Sequence, residues 1–250
     1  MKIVACIKRV PTTEAQAKIT ADGKGLDAAG FQYMTSFYDE IAVEEAIKTK
    51  EALGGEVTVL TIGPAEASKE VRECIAKGAD GGVILTDADW TGRDNLSTAK
   101  VLATKLGEMG AEVAFFGKVG TDRDNNAVGP MVATKLGWAC VSDVVDLNLD
   151  ASGGTATRET EAGMETVSFS LPAVITCGKG LNEPRYAGLK GIMAAKKKPL
   201  AEEGFEDVPN QVQVEGLSLP PARKEGRIIG EGVDAVPALI DALRNEAKAL

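Results

Sequence analysis

The stretch from Val57 to Gly78 reads V-T-V-L-T-I-G-P-A-E-A-S-K-E-V-R-E-C-I-A-K-G, and it decides the fold. Val57–Ile62 is apolar and rich in β-branched residues, which predicts a strand ending at Gly63-Pro64. Ala67–Lys77 then has the pattern of a helix, and Gly78 is placed to end it. The stretch therefore predicts one strand followed by one helix.

The same alternation continues on both sides of this stretch. Further strands are predicted at Ile3–Ile7, Gly82–Leu85 and Val113–Phe116, and further helices at Ile41–Ala52, Asn95–Met109 and Asn126–Leu136. This order predicts an α/β domain with a doubly wound, mostly parallel sheet covered by helices on both faces. Shorter strands follow as a partly antiparallel extension, at Val141–Leu149, Thr155–Glu161, Thr166–Ser170 and Ala173–Cys177.

The chain changes character after Pro199, where it becomes rich in proline, glycine and charge. We predict an α/β domain over residues 1–198 and an extended C-terminal arm over residues 199–250. The arm ends in an amphipathic helix, Ala235–Leu250. A segment so poor in core residues is either disordered or wraps a partner.

The composition argues against several classes of function. The net charge of −9 and an aromatic content of 4% argue against nucleic-acid binding. No apolar run approaches the ~20 residues that span a bilayer, so no membrane insertion is expected. The N-terminus enters a strand almost at once, and the four cysteines are widely spaced, so we expect a cytoplasmic protein with reduced thiols. With no histidine and no recognisable catalytic pair, we expect no enzyme and no metal site.

Residues 181–199 read L-N-E-P-R-Y-A-G-L-K-G-I-M-A-A-K-K-K-P, and we call them the docking segment. Proline and two glycines bar long regular structure, while apolar residues occur beside basic ones. Such a mixture is typical of a surface that captures a partner. The alternative is a loop packed against its own domain with solubilising lysines.

Phe115–Pro130, F-F-G-K-V-G-T-D-R-D-N-N-A-V-G-P, joins a buried strand to a helix through a polar loop. Parallel sheets bind ligands at the carboxyl ends of their strands, and the N-terminus of a helix favours phosphate. This pattern indicates a nucleotide site. In the alternative, Asp124 or Asn125 merely caps the helix.

Several motifs, in order, resemble the beta subunit of electron transfer flavoprotein. They cover roughly residues 1–200 and comprise K-I-V-A-C-I-K-R-V-P at the N-terminus, Asp39–Ala46, Gly63-Pro64, Ala76–Asp80, Gly117–Met131, Arg158–Gly163 with Pro172–Val174, and L-N-E-P-R-Y-A-x-L with I-M-x-A-K-K-K. The resemblance implies a Rossmann-like, adenine-nucleotide-binding domain in a heterodimeric electron carrier. An alpha subunit, wrapped by the arm, would hold most of the FAD. Flavin-dependent dehydrogenases would donate electrons, and a quinone oxidoreductase or another acceptor would receive them.

The resemblance further implies that this chain holds AMP. The matching positions are Cys6, Ser36, Phe37, Tyr38, Asp39, Ile62, Gly63, Gly117, Lys118, Val119, Gly120, Thr121, Asp122, Arg123, Asp124, Asn125, Asn126, Ala127, Val128 and Gly129. The sequence of Asn125–Val128 is intermediate between those of ordinary family members and those of electron-bifurcating ones. In the bifurcating members, a second FAD occupies the pocket. A stand-alone adenine-nucleotide-binding module is a further alternative. The N-E-P-R-Y motif favours the ordinary class, hence AMP.

Partner docking is implied for Arg185, Tyr186 and Leu189. Leu189 would be the hydrophobic anchor in the dehydrogenase. Glu159 would reach the mobile flavin domain of the alpha subunit, although a solvated edge-strand carboxylate is the plain alternative. Thr13 would lie near the flavin.

Overall fold

The alternating strands and helices form a nine-stranded, mostly parallel sheet in the computed structural model, which describes residues 1–222 and 225–250. Residues 223 and 224 of the predicted arm lie outside the described residues. The strands are β1 (Lys2–Cys6), β2 (Arg9–Pro11), β3 (Tyr33–Thr35), β4 (Glu56–Gly63), β5 (Gly81–Thr86), β6 (Val113–Gly117), β7 (Ala139–Leu149), β8 (Gly153–Thr160), β9 (Gly163–Ser170), β10 (Ala173–Cys177) and β11 (Leu200–Glu203). The helices are α1 (Phe37–Leu53), α2 (Ser68–Lys77), α3 (Asn95–Met109), α4 (Val128–Leu136), α5 (Leu189–Ala195) and α6 (Val236–Asp241).

The sheet order is β11-β5-β4-β1-β6-β10-β7-β8-β9, with parallel pairing from β11 through to β7. The pairs β7–β8 and β8–β9 are antiparallel, as expected for the extension. The short strands β2 and β3 form a separate antiparallel pair. The predicted doubly wound α/β fold is therefore confirmed.

Two cores cover the two faces of this sheet. Ile3 and Ala5 of β1 point to a core shared with α1 and α2, whereas Val4 and Cys6 point to a core shared with α3 and α4. Alternate residues of β1 are thus buried on opposite faces, as a strand between two helical layers requires. At 25 cal/mol per Å², each buried Ile or Val contributes roughly 1.5–3 kcal/mol to folding.

Most predicted elements lie within two residues of the observed ones, and α3 and β10 match their predicted bounds. Helix α1 begins at Phe37 and β9 at Gly163, four and three residues before their predicted starts. Helix α4 begins at Val128, two residues after its predicted start, because Asp124 and Asn126 take left-handed backbone angles (φ 49° and 47°) that interrupt a helix. The C-terminal helix is α6 followed by a π-helical stretch, Ala242–Glu246, so it stops before Leu250.

The sheet also contains residues that the sequence analysis assigned to the arm. Leu200–Glu203, as β11, pairs in parallel with β5 at the edge of the sheet. Further along, Asp94 accepts hydrogen bonds from the amides of Gln211 (2.5 Å) and Val212 (3.0 Å). The contacts of the α/β domain thus continue beyond residue 198.

The chain divides into two units. The first comprises residues 1–18 and 27–215 and contains the sheet. The second comprises residues 19–26 and 216–250, in which the amide of Leu217 donates to the carbonyl of Gly23 (2.7 Å). Ile228 and Val233 of this second unit are each 85% exposed.

Candidate functional site

The carboxyl ends of β1, β4 and β6 lie side by side in the sheet. Beyond β1 the chain builds outward through β4 and β5 on one side, and through β6 and β10 on the other. The position between β1 and β6 is therefore the switch point at which doubly wound sheets bind ligands. Three predicted site positions lie at these strand ends, namely Cys6, Gly63 and Gly117.

Asp39 links the chain beyond β1 and the end of β6 to the start of α1. From the first turn of α1, its carboxylate accepts hydrogen bonds from the backbone amides of Lys8 (2.7 Å) and Gly117 (2.9 Å). Burial raises the pKa of the Asp39 carboxyl to about 7, although both amides favour the charged form. One side chain thus fixes the exits of β1 and β6 relative to α1.

Two glycines permit close approach at the same edge. A Cβ on Gly117 would overlap the Asp39 carboxylate, and a Cβ on Gly129 would lie 2.7 Å from Thr176 Cγ2. Gly117 therefore lets β6 end against α1, while Gly129 lets the first turn of α4 sit close to β10. The loop between them is held near the sheet at both ends.

The loop itself is closed by its own backbone amides. The amides of Arg123 and Asp124 donate to the carbonyl of Gly120, which closes a tight turn, and residues 121–126 are exposed. Ala127 precedes α4 and has no side-chain oxygen to cap the helix, so the alternative in which Asp124 or Asn125 merely caps it does not hold. The first amides of α4 have no carbonyl of their own helix to bind. They favour an anion, and this arrangement fits a phosphate-bearing nucleotide.

Lys8 is a site residue that the sequence analysis missed. Its Nζ lies 2.7 Å from both carboxylate oxygens of Asp122, and it lies just beyond β1. Ser36 also binds the loop, since its Oγ accepts from the amide of Thr121 (3.2 Å). The position of Lys8 after the K-I-V-A-C-I run was the signal available in the sequence.

Lys118 is paired with a second missed residue, Asp143. Lys118 Nζ lies 2.5 Å from Asp143 Oδ2, and this hydrogen bond, with a smaller effect of Glu159, raises the pKa of Lys118. Asp143 lies at a bulge in β7 with a φ of 59°, unusual for a residue with a Cβ. The structure brings the predicted residues Lys118 and Glu159 near each other; Glu159 is exposed on β8.

The other predicted nucleotide-site residues fall into two groups. The first group lies at the start of α1 and at the end of β4. In this group Phe37 is exposed, and the others are buried or half-buried, namely Ser36, Tyr38, Ile62 and Gly63. Val119, Gly120 and Val128 are half-buried around the loop. Burial raises the pKa of the Cys6 thiol well above its ordinary value, so Cys6 contributes an uncharged wall.

The docking segment lies elsewhere on the first unit and contains α5. Tyr186 is 97% exposed and Leu189 is 76% exposed, while Ile192 and Met193 are also exposed. Leu189, Ile192 and Met193 are three and four residues apart, so they share one face of α5. Arg185, in contrast, is half-buried and binds Glu44 and Glu51 of α1.

The fold and this geometry define a doubly wound α/β protein of the kind that binds ligands at its switch point. A sequence model of the electron transfer flavoprotein domain matches residues 32–207. The chain is 39% identical over 253 residues to the electron transfer flavoprotein subunit beta of Bradyrhizobium diazoefficiens, with 100% of both covered. It is 33% identical over 260 residues to that of Bacillus subtilis, again with 100% of both covered. It is 35% identical over 255 residues to the mitochondrial subunit beta of Arabidopsis thaliana, with 99% of each covered.

The chain belongs to the electron transfer flavoprotein family, as a beta subunit. A beta subunit implies an alpha subunit as partner, and the family implies association with a flavin or nucleotide. Within the part of the chain that the structure describes, no helix is both long and apolar enough to cross a membrane.

Proposed function

We propose that this beta subunit binds AMP at the loop from Gly117 to Gly129 and docks flavin-dependent dehydrogenases through residues 181–199. The observation that carries the proposal is the uncapped N-terminus of α4, held at the switch point beside two glycines. We further infer that the heterodimer works in the cytoplasm as an electron carrier and catalyses no reaction of its own.

The proposed AMP is held mainly by backbone. The amides of Val128 and Gly129, at the positive end of α4, would bind the phosphate. Lys8 and Asp122 hold the loop against β1 through their ion pair. Asp39 holds the chain at the ends of β1 and β6 close to the start of α1. AMP would thereby brace the loop and support assembly without carrying electrons.

The docking role depends on the exposed face of α5. A leucine that is 76% exposed at the start of a helix is stabilised little by burial in its own domain. Covering it in a partner pocket would contribute roughly 1.5–3 kcal/mol. Lys190, Lys196 and Lys197 are exposed close to this apolar face in the sequence and add positive charge, which suits an acidic rim on the dehydrogenase. Lys198 is instead half-buried and donates to the carbonyl of Ala79 (2.6 Å).

FAD, held mainly by the alpha subunit, would supply the electron-transfer chemistry. This chain would supply a scaffold, the dehydrogenase-docking face and Glu159 on the exposed hairpin β8–β9. The exposed Glu159 would meet a cationic group of the alpha subunit's mobile flavin domain. The exposed Thr13 would lie near the flavin. Electrons would then pass to a quinone oxidoreductase or another acceptor.

A charge placed at the start of α4 tests the AMP site. Ala127→Asp would cap the helix and stabilise it by about 1 kcal/mol, while its carboxylate competes with a phosphate for the same amides. Ala127→Asn is the matched control, because it can cap without a negative charge. We expect the co-expressed heterodimer to keep its flavin and to lose most of its AMP with Asp, and to retain much more AMP with Asn. Unchanged AMP in the Asp variant would refute the site.

A further inference from the structure

Arg185 lies within the docking segment but faces α1 of its own chain. Its Nε and Nη2 donate to Glu44 (2.9 and 2.8 Å), and its backbone amide also donates to Glu44 (3.0 Å). Its Nη1 and Nη2 donate to Glu51 (2.6 and 2.9 Å). The guanidinium thus forms a two-pronged hydrogen bond with each carboxylate, the geometry that arginine alone provides.

The two carboxylates depend on this arginine to different degrees. Glu44 is buried, and a buried carboxylate without a cationic partner is strongly destabilising. Glu51 is about half exposed, and the hydrogen bond from Arg185 lowers the pKa of its carboxyl. Because Nε, Nη1 and Nη2 are all engaged within the chain, Arg185 has little capacity left for a docked protein.

Other contacts fix both ends of the docking segment. Asn182 Nδ2 donates to Glu45 Oε2 (2.8 Å) and to the carbonyl of Ile41 (3.1 Å), both on α1. At the far end, Arg72 of α2 donates to the carbonyls of Ala195 (2.5 Å) and Lys198 (2.6 Å). Between these attachments, Tyr186 and the apolar face of α5 remain exposed.

We propose that Arg185 is a positioning residue that holds the docking segment in its binding shape through Glu44 and Glu51, and that it does not itself contact the dehydrogenase. This inference rests on the proposed docking function. A segment ordered before the encounter loses less conformational entropy on binding, so a rigid attachment raises affinity without adding a contact. The sequence alone places Arg185 on the docking surface itself.

Arg185→Lys separates the positioning of the segment from its charge. Lysine keeps the positive charge but cannot form the paired hydrogen bonds of a guanidinium. The variant is prepared as the co-expressed heterodimer, and hydrogen exchange of the amides from 186 to 195 is measured. We expect these amides to exchange at least tenfold faster, while the amides of β6 stay unchanged. Glu51→Gln, at a half-exposed site, should act in the same direction with a smaller effect.

The second measurement is the rate at which a purified flavin-dependent dehydrogenase from the same organism reduces the heterodimer. For Arg185→Lys we expect KM for the heterodimer to rise about fivefold, with kcat changed less than twofold. A raised KM with unchanged exchange would mean that Arg185 touches the dehydrogenase directly, which overturns the proposal. Faster exchange with unchanged KM would overturn it too, because position would then not matter for docking.

Leu189→Ala in the same assay distinguishes this inference from the function on which it rests. If Leu189→Ala leaves KM unchanged, the docking function of the segment is wrong, whatever Arg185→Lys does. If Leu189→Ala raises KM and Arg185→Lys does not, docking stands and the positioning role of Arg185 fails.

Discussion

The carboxylates of Asp39 and Glu44 lie on successive turns of α1 and hold two different functional segments. Asp39 binds the amides of Lys8 and Gly117 at the proposed AMP site, and Glu44 binds Arg185 of the docking segment. Five residues of a helix span about 7.5 Å, so both attachments belong to one rigid element. Helix α1 is therefore the common frame of the two regions.

The first prediction concerns Leu189. We expect Leu189→Ala to weaken docking by up to about a hundredfold in affinity, because an apolar anchor is lost. The melting temperature of the heterodimer should stay nearly unchanged, since Leu189 is 76% exposed. KM with a flavin-dependent dehydrogenase and thermal melting check this pair of expectations. Leu53→Ala, a partly exposed leucine at the end of α1, is the control. A variant that melts several degrees lower but docks normally would make Leu189 a packing residue.

The second prediction is a pH dependence from Asp39. Its pKa is about 7 in the folded chain against an ordinary value of 3.8, so folding favours the protonated carboxyl. Its stabilising contribution is full below pH 4 and is lost as the pH rises through 7, with a slope of at most about 1.4 kcal/mol per pH unit. Lys8 and Asp122 face the same carboxyl and act on it in opposite directions.

Asp39→Asn removes this titration and leaves one backbone amide facing the NH2 group of asparagine. We expect a cost of about 1–3 kcal/mol for the lost acceptor, largest at pH 5 and smaller at pH 8. The melting temperature of the heterodimer, measured at fixed concentration across this range, gives the difference between the two proteins. If that difference did not vary with pH, Asp39 would not titrate in this window.

The third prediction concerns the arm. Because β11 belongs to the sheet, the informative truncation falls after Glu215, where the first unit ends. Removing residues 216–250 takes away exposed apolar side chains such as Ile228 and Val233, which we expect to be buried by the alpha subunit. Assembly on size-exclusion chromatography should then weaken sharply. The double variant Ile228→Ser, Val233→Ser keeps the chain length and should weaken assembly in the same direction. Full assembly of the truncated chain would contradict the wrapping role.

Local patterns were enough to predict most of the fold. The bounds of α3 follow from Asp94, which caps it by accepting from the amide of Ser97, and from Gly110, which ends it in a left-handed conformation. The start of α4 was not predictable in this way, because nothing in the residue types of Asp124 and Asn126 requires the left-handed conformation both adopt. Helix caps are local, whereas this loop is shaped by its contacts with Lys8, which follows β1, and Ser36, which precedes α1.

Contacts between residues far apart along the chain could not be predicted from the sequence either. Arg185 and Glu44 are 141 residues apart, and only the folded chain shows that the arginine faces inward. The pairing of β11 with β5 is of the same kind, since a four-residue strand at an edge has no distinctive pattern. Lys8 and Asp143 are charged residues with no distinctive sequence pattern around them, and their roles depend on the partners that the fold supplies.

The nucleotide content of the purified, co-expressed heterodimer tests the central claim most directly. Extraction under denaturing conditions followed by chromatography counts flavin and adenine nucleotide per heterodimer. The proposed function predicts one FAD and one AMP. Two FAD and no AMP would contradict it and would assign the site between Gly117 and Gly129 to a second, electron-carrying flavin.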